Sequence, residues 1–433
     1  MTRKLNQCRP GVILSHPNRQ GVWETAVGAQ RAGLLLRFFT AMYNTRRGLL
    51  EPGRLSRLPS PIARRAARLA GRQHADLDPS LVEIIPWFDL AKQLARGPLA
   101  GARLGVQSWA NDQFDRAVAH RLGRYGCATI VHGFEASSLY TFRQARRLGL
   151  HTILDVPSAN EWFVQAVSRE AADAGLAARP AVSHWARYIH EERLLADRLF
   201  VGADQIRRCL VENGVPSARI VTIPYGANPA IFQPRQAIDR DDVTRILFVG
   251  HIGLRKGVLY LIEAFQRAGL SKAELILVGD ADADGLRLLR RYEGAYRWIK
   301  SLPQSELAEL FRHSSMLAFP SLAEGSAFVV YEAMCSGLPV VVTPEAGSVA
   351  RHGQDGLVVP ARDVDALAEA LRHLHENPSL ARQMGRSGRD RILGGYTWGH
   401  YQQRVGEAYY AIHRGDDVQA AVDALSAREE VPA

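Results

Sequence analysis

Two glutamates flank a glycine-containing turn, and their spacing suits a ligand that carries both phosphates and hydroxyl groups. Seven residues separate Glu324 from Glu332, and the segment between them runs from Gly325 into an apolar, helix-like pattern. The N-terminus of a helix offers unpaired N–H groups and a positive dipole end to a phosphate. Carboxylates accept hydrogen bonds from vicinal diols. The pattern therefore predicts a site for a sugar nucleotide, which combines a ribose diol, a diphosphate and sugar hydroxyls.

A pair of cations follows an earlier strand pattern. Arg255 and Lys256 come shortly after the strand predicted at residues 245–250, and Lys256 is one of only five lysines among 54 basic residues. Because the carboxyl ends of parallel strands share one edge of a sheet, we expect both cations to face the turn of Glu324 and Ser326. Cations placed there stabilise a diphosphate as its bond to a sugar breaks. The alternative is a solvated turn with two exposed cations.

Polar residues also close two strand patterns in the first half of the chain. His132 ends the apolar run of residues 128–131, and Asp155, Asn160 and Glu161 follow the next strand pattern. The strand-end histidine is either a site residue or a structural residue bonded to the backbone. The other three residues are candidate acceptor contacts or ordinary polar loop residues.

Strands alternate with helical patterns along most of the chain, which predicts an α/β fold with parallel, doubly wound sheets. The alternation breaks at polar residues 233–242, where we place an interdomain linker. The prediction is an N-terminal Rossmann-like domain (1–235), a C-terminal one (240–395), and a terminal helix (396–433) that packs back on the first domain and frays at its end. Ligand sites are expected in the cleft between the domains, at the carboxyl ends of the strands.

Five motifs follow one another through the C-terminal half. They are Gly250…Arg255-Lys256-Gly257, Val278-Gly279-Asp280, Glu324-Gly325…Glu332-Ala333-Met334, Gly337-Leu338-Pro339-Val340-Val341 and Asp355-Gly356-Leu357-Val358-Val359-Pro360. In order and spacing this half resembles the GT-B-fold retaining glycosyltransferases of family four, the glycosyl transferases group 1. The resemblance implies a metal-independent enzyme without a cofactor. It would move a hexosyl-type sugar from a nucleotide sugar to a saccharide or lipid-linked acceptor, with retention, in polysaccharide biosynthesis.

The resemblance also implies roles for the residues that match the family motifs. Glu332 holds the ribose hydroxyls, Glu324 lies near the donor sugar, and Arg255 and Lys256 face the diphosphate. His132 is implied to position the sugar, so the predicted catalytic set is His132, Glu324, Arg255 and Lys256. The further donor contacts implied are the backbone of Ser326, Ala327 and Phe328, the strand end Gly250 and His251, the nucleobase loop at Ile299, and Gly21.

Three positions depart from the family pattern. His251 stands where the family often has arginine, and Arg255 is expected to take over that role. Ser326 changes the usual Glu-Gly-Phe-Gly turn and is expected to cap the following helix through its hydroxyl. The N-terminal loop, which precedes a helix predicted from Glu24 to Tyr43, has Gly21 alone where the family commonly has paired glycines.

The net charge of +10 is concentrated in a basic segment, residues 31–72, where ten arginines face a single glutamate, Glu51. Apolar residues interleave with them, as in Leu34 to Phe39. The segment is either a solvated face or a patch that docks on anionic lipid headgroups, each cation contributing about 1 kcal/mol. No nucleic-acid recognition motif accompanies the charge. With no signal-type or membrane-spanning apolar run, we expect a cytoplasmic protein, peripheral on the inner face of the plasma membrane.

Other features leave alternatives open. The four cysteines form no paired motif and are expected to be reduced thiols. Asp280, Asp282 and Asp284 could hold Mg²⁺ or Mn²⁺, but a polar loop after a strand is the favoured reading. Two alternative functions remain: a non-catalytic subunit that binds a nucleotide sugar, and a phosphorolytic enzyme on the same fold.

Overall fold

The computed structural model of this protein contains two parallel β-sheets with helices on their faces. It describes residues 11–18, 21–44, 73–85, 103–158, 160–173, 183–235 and 243–429. The predicted α/β class with two Rossmann-like domains is confirmed. Within the described ranges, no helix is long and apolar enough to cross a membrane. The predicted linker residues 236–242 lie outside these ranges.

Thirteen strands are found in the described part of the chain. They are β1 (Val12–Ser15), β2 (Leu35–Thr40), β3 (Val82–Ile84), β4 (Ile130–Phe134), β5 (His151–Asp155), β6 (Arg198–Val201), β7 (Ile220–Thr222), β8 (Thr244–Val249), β9 (Ala273–Val278), β10 (Arg297–Ile299), β11 (Met316–Phe319), β12 (Val340–Val342) and β13 (Gly356–Val358). The N-terminal sheet has the order β3-β2-β1-β4-β5-β6-β7, and the C-terminal sheet has the order β10-β9-β8-β11-β12-β13.

Fourteen α-helices connect the strands and complete the described part of the chain. They are α1 (Val22–Arg31), α2 (Arg103–Arg121), α3 (Leu139–Arg147), α4 (Asn160–Asp173), α5 (Ser183–Leu195), α6 (Asp204–Glu212), α7 (Val258–Ala268), α8 (Ala283–Arg291), α9 (Gln304–Arg312), α10 (Phe328–Cys335), α11 (Val364–Glu376), α12 (Pro378–Gly395), α13 (Trp398–Arg414) and α14 (Val418–Glu429).

The strand order reverses direction once in each sheet. The reversal lies between β1 and β4 in the N-terminal sheet and between β8 and β11 in the C-terminal sheet. At such a point the connections leave on opposite faces and open a crevice at the carboxyl ends of the strands, where ligands bind in doubly wound folds. The motifs that follow β8 and β11 therefore face one crevice, as the sequence predicted.

The predicted helix from Glu24 to Tyr43 is wrong in its second half. Helix α1 ends at Arg31, and Leu35–Thr40 form β2, which pairs with β1. Leu34, Phe38 and Phe39 are buried in the sheet core. A run of apolar residues fits a strand covered on both faces as well as a buried helix, and here sheet pairing decided the outcome.

Two arginines of the predicted lipid-facing patch make contacts within the protein. Arg31 pairs with Asp76 at 3.0 Å, and Arg37 donates to the carbonyl oxygen of Ser80 at 2.7 Å. These two arginines are therefore held by the protein, and the apolar residues beside them are largely buried. The rest of the basic segment, residues 45–72, lies outside the described ranges.

The chain crosses between the domains twice, and the two crossings touch. The backbone of Ala227 receives a hydrogen bond from Trp398 N and donates one to Tyr396 O. Beyond this point α13 lies against α1, where Gly28 approaches the backbone of Gln402 so closely that a Cβ atom would lie 2.8 Å from its carbonyl oxygen. The C-terminal helix thus forms part of the N-terminal domain's core.

Candidate functional site

One carboxylate and two cations meet at the crevice of the C-terminal sheet. Glu324, in the loop after β11, accepts from Arg255 Nη1 at 2.6 Å and also pairs with Lys256 Nζ. Ser321 Oγ donates to the same carboxylate oxygen, Oε1, at 3.0 Å. Because Gly257 has φ +67° and a Cβ there would lie 2.0 Å from Pro320 O, only glycine brings the two loops this close.

This charged cluster is largely removed from water. The side chains of Glu324 and Lys256 are 10% and 13% exposed. Burial lowers the pKa of Lys256, the carboxylate of Glu324 opposes that shift, and the charge of Arg255 adds to it. Two positive charges against one negative leave this cluster of three side chains with a net positive charge, and charge interactions are stronger here than at the surface. An anionic ligand group is therefore favoured at this point.

The turn after Glu324 presents backbone donors at the tip of α10. Within the described residues, the N–H groups of Ser326 and Phe328 have no hydrogen-bond acceptor. The N–H of Ala327, a predicted donor contact, bonds instead to Ala346 O at 3.2 Å. Two unpaired donors and the positive end of the helix dipole remain available to an anion.

The predicted helix cap by Ser326 is also wrong. Helix α10 begins at Phe328, its N-cap residue is Ala327, and no side chain caps it. Instead, the Ser326 hydroxyl contacts Tyr331 OH and Gly347 O, both at 3.1 Å. This hydroxyl therefore fixes the turn against the next loop and leaves the helix tip open.

Glu332 lies one turn further along the same face of α10 as Phe328. Burial raises the pKa of its carboxyl group to about 7. Among the described residues no side chain or backbone group bonds to this carboxylate. An unpartnered, largely buried carboxylate is suited to accept two hydrogen bonds from a ligand diol, because that ligand would supply the missing partners.

The far end of the crevice holds the remaining predicted donor contacts. Ile299 ends β10, and its carbonyl accepts from Gly279 N at 2.9 Å, next to Trp298, whose Nε1 donates to Gly279 O. His251 follows Gly250 and forms an exposed pair with Asp282 at 3.3 Å. Asp282 also caps α8 through Gly285 N, so its carboxylate has a structural role in the predicted polar loop.

The N-terminal domain reaches this site along a seam of backbone contacts. Gln205 on α6 donates to the carbonyl oxygens of Glu324 and Glu345, at 3.1 and 2.8 Å. A Cβ atom on Gly325 would lie 1.6 Å from Pro157 O, so the glycine turn presses against the loop after β5. The position of Glu324 therefore depends on both domains.

Gly21 lies on the N-terminal side of the same crevice. A Cβ atom at this residue would lie 3.7 Å from the ring of Tyr225 and 3.8 Å from that of Phe328. Phe328 packs against Tyr225 and Trp398, with ring centroids 4.7 and 5.5 Å apart. The structure thus brings the predicted N-terminal loop glycine to the tip of α10.

His132 is not at the crevice. It lies in the middle of β4, is fully buried, and its Nδ1 is 2.7 Å from Tyr409 OH on α13. Phe134 and Phe200 enclose the same ring. Burial lowers its pKa to about 3, so the ring is neutral near pH 7. The predicted contact with a sugar is therefore absent in this structure, and the histidine joins the sheet to the C-terminal helix.

Asp155 and His16 lie where His132 was expected, at the carboxyl ends of the N-terminal strands. Asp155 ends β5 and is 4% exposed, and no described residue bonds to its carboxylate. Burial, with a smaller contribution from the charge of Glu135, raises its pKa to about 8. His16 directly follows β1, with its ring 4.6 Å from that of Phe134. His16 was missed, although its place after a strand end was a usable signal.

Comparisons with known proteins agree with this geometry. Residues 243–377 match the family described as glycosyl transferases group 1. D-inositol 3-phosphate glycosyltransferase of Kribbella flavida is 27% identical over 76% of this chain and 82% of its own length. MMP alpha-(1->4)-mannosyltransferase of Mycolicibacterium hassiacum is 28% identical over 51% of this chain and 56% of its own length.

The fold itself is shared with solved structures. Sucrose-phosphate synthase from Thermosynechococcus elongatus superposes with a TM-score of 0.60, covering 94% of this chain and all of that one, at 18% sequence identity. At this level of identity the likeness concerns the fold, and it extends over both domains.

The raised pKa of Asp155 predicts a pH-dependent stability difference for Asp155→Asn. Between the ordinary carboxyl value of 3.8 and about 8, the folded state holds a proton that the unfolded chain has lost. Wild-type stability therefore falls as pH rises through that window, by up to about 1.4 kcal/mol per unit. Asparagine carries no such proton. We expect the free energy of unfolding of Asp155→Asn in urea, relative to that of the wild type, to increase from pH 5 to pH 9.

Asp390→Asn, at an exposed position on α12, is the matched control substitution. An Asp155→Asn difference that does not change with pH would contradict a neutral, buried carboxyl group.

Proposed function

We propose that this chain is a glycosyltransferase of the GT-B fold, because its residues 243–377 match the glycosyl transferases group 1, and that its donor site and mechanism are as follows. The fold and the transferase activity were both predicted from the sequence. The donor is a nucleotide sugar, bound in the crevice between β8 and β11. Transfer retains the anomeric configuration, and the acceptor is a saccharide or a lipid-linked glycan held against the N-terminal domain.

The meeting of Arg255 and Lys256 with the tip of α10 carries this proposal. The donor diphosphate would lie between the two cations and the free N–H groups of Ser326 and Phe328. Glu324 already pairs with both cations, so it can hold them in place while a phosphate binds their remaining donors. The ribose would then reach Glu332, further along α10, with the base near Ile299.

The reaction needs charge stabilisation more than a protein nucleophile. As the bond between the anomeric carbon and the phosphate oxygen breaks, negative charge grows on the diphosphate, where Arg255, Lys256 and the helix tip stabilise it. The acceptor oxygen attacks the same face that the phosphate leaves, and a phosphate oxygen takes the acceptor's proton. These positive groups do the work that a divalent cation does elsewhere, so transfer should proceed in EDTA.

Removal of Lys256 tests the role of the cations. We expect Lys256→Ala to lower kcat by about 100-fold or more, since one donor to the developing charge is lost. Arg267→Ala, at an exposed ion pair with Asp365, is the matched control and should retain full activity. The rates are measured with the nucleotide sugar that a thermal-shift screen of UDP, GDP and ADP conjugates selects. Near-normal turnover by Lys256→Ala would overturn the assignment.

Glu332 predicts a pH-dependent affinity for the nucleotide. Because its pKa is about 7, the carboxylate that accepts both ribose hydroxyls forms as pH rises from 6 to 8. Nucleoside diphosphate binding should therefore tighten across this range in the wild type. The terminal phosphate of the nucleotide also loses a proton at about pH 6. The comparison is therefore made with Glu332→Gln, in which only the phosphate contributes to the pH dependence of binding.

Calorimetric titration at pH 6, 7 and 8 measures both proteins, and a 2′-deoxy nucleotide should lose most of the Glu332-dependent gain. Equal pH profiles for the wild type and Glu332→Gln would rule out the ribose contact. The same titrations, run beside an assay for sugar release, separate an enzyme from a subunit that only binds its donor.

The arginines of residues 45–72 support a further, separable proposal of peripheral contact with an anionic membrane on the cytoplasmic side. This stretch holds eight arginines and one glutamate, enough for several headgroup contacts. Co-sedimentation with vesicles containing phosphatidylglycerol should be strong at low salt and weak at 0.5 M salt. Neutral phosphatidylcholine vesicles are the control. Absence of binding to the anionic vesicles would remove the membrane from the proposal and leave the transferase unchanged.

A further inference from the structure

Helix α4 belongs to the N-terminal domain but lies on the donor loops of the C-terminal domain. It follows the loop of Pro157, which already presses against Gly325. At its N-terminal half, Phe163 contacts Arg255 across the domain boundary, and at its C-terminal half Glu170 contacts two residues of the C-terminal domain. Pro157 and Phe163 of the N-terminal domain thus contact both loops of the proposed diphosphate site, the one with Gly325 and the one with Arg255.

Phe163 provides one of the contacts that hold the guanidinium of Arg255. The centre of the guanidinium lies 4.6 Å from the centroid of the Phe163 ring, which is a favourable cation–π distance. The other contacts come from the Arg255 side chain's own domain, namely Glu324 and the carbonyl oxygen of Ala323. Among the contacts of this guanidinium with described residues, only the aromatic one requires the domains to be together.

Glu170 holds the C-terminal half of α4 against the C-terminal domain. Its side chain is 4% exposed, and it accepts from Tyr260 OH at 2.8 Å and from Arg362 Nε at 2.5 Å. Both donors belong to the C-terminal domain. Arg362 has φ +67°, a conformation that costs an arginine about 1 kcal/mol relative to glycine. Its ion pair with Glu170 is a contact that offsets this strain.

We infer that α4 is an interdomain clamp in which Phe163 positions Arg255 for the reaction and Glu170 holds the helix in place. This rests on the proposed function, because it assigns Arg255 to the departing diphosphate. A displaced guanidinium can still bind a phosphate from a looser position, but it stabilises the developing charge less well. The clamp should therefore affect kcat more than nucleotide affinity.

Substitutions at Phe163 test the positioning role. Phe163→Leu keeps an apolar side chain of similar reach without a ring, and we expect kcat to fall about tenfold while the Kd for the nucleoside diphosphate stays within twofold. Phe163→Tyr keeps the ring and should retain kcat within twofold. Unchanged kcat in the leucine variant, or equal losses in kcat and affinity, would overturn the inference. So would failure of tyrosine to retain activity in a protein with wild-type thermal stability.

The clamp itself is tested at the other end of the helix. Glu170→Gln and Arg362→Gly should each lower kcat, and the double variant should be no slower than the worse single one, because both remove the same contact. Small-angle scattering should show a larger radius of gyration in all three, which loss of a catalytic group alone would not produce. Glu293→Gln, at an exposed position, is the matched control.

Additive losses in kcat, or an unchanged radius of gyration, would contradict a clamp. The Lys256→Ala result keeps the two proposals distinct. If that variant is inactive while the Phe163 and Glu170 variants are normal, the inference fails and the donor site stands. If Lys256→Ala is active, the donor site itself fails.

Discussion

The shared carboxylate oxygen of Glu324 is the interaction on which the geometry of the donor side depends. It ties the loop after β8 to the loop after β11, across the point where the strand order reverses. Without it, two partly buried cations would repel each other beside an open helix tip. Directly after Glu324 in the same loop, Gly325 presses against Pro157 of the N-terminal domain. One side chain thus takes part both in the charge of the crevice and in the packing of the two loops.

Local sequence patterns were enough to predict most of the architecture. Alternating strands and helices identified two doubly wound sheets, and the parallel direction of the strands placed Arg255, Lys256 and Glu324 at one edge. The error at β2 shows the limit of this reasoning. The run from Leu34 to Phe39 is apolar except for Arg37, and its pairing with β1 depends on residues that local patterns do not contain.

The site predictions failed where a distant partner decides the role of a residue. His132 was expected at the crevice, but its partner Tyr409 lies 277 positions away on the last long helix, and no pattern near β4 reveals it. The N–H of Ala327 is taken by Ala346, on the next loop, for the same reason. Asp155 was one of several polar residues after a strand, and only the surrounding core distinguishes it from an ordinary loop acid.

The return of the chain to its first domain has a consequence for synthesis. The core around His132 is completed by Tyr409, and Tyr401 bonds to Thr25 on α1, while the second sheet draws its strands from residues 244–358. On the ribosome the second domain can therefore finish its core before the first, although it is made later. Until α13 (Trp398–Arg414) emerges, the face of the earlier sheet that this helix covers stays uncovered. A chaperone that binds such a face would have its longest opportunity there, at the part of the nascent protein that was made first.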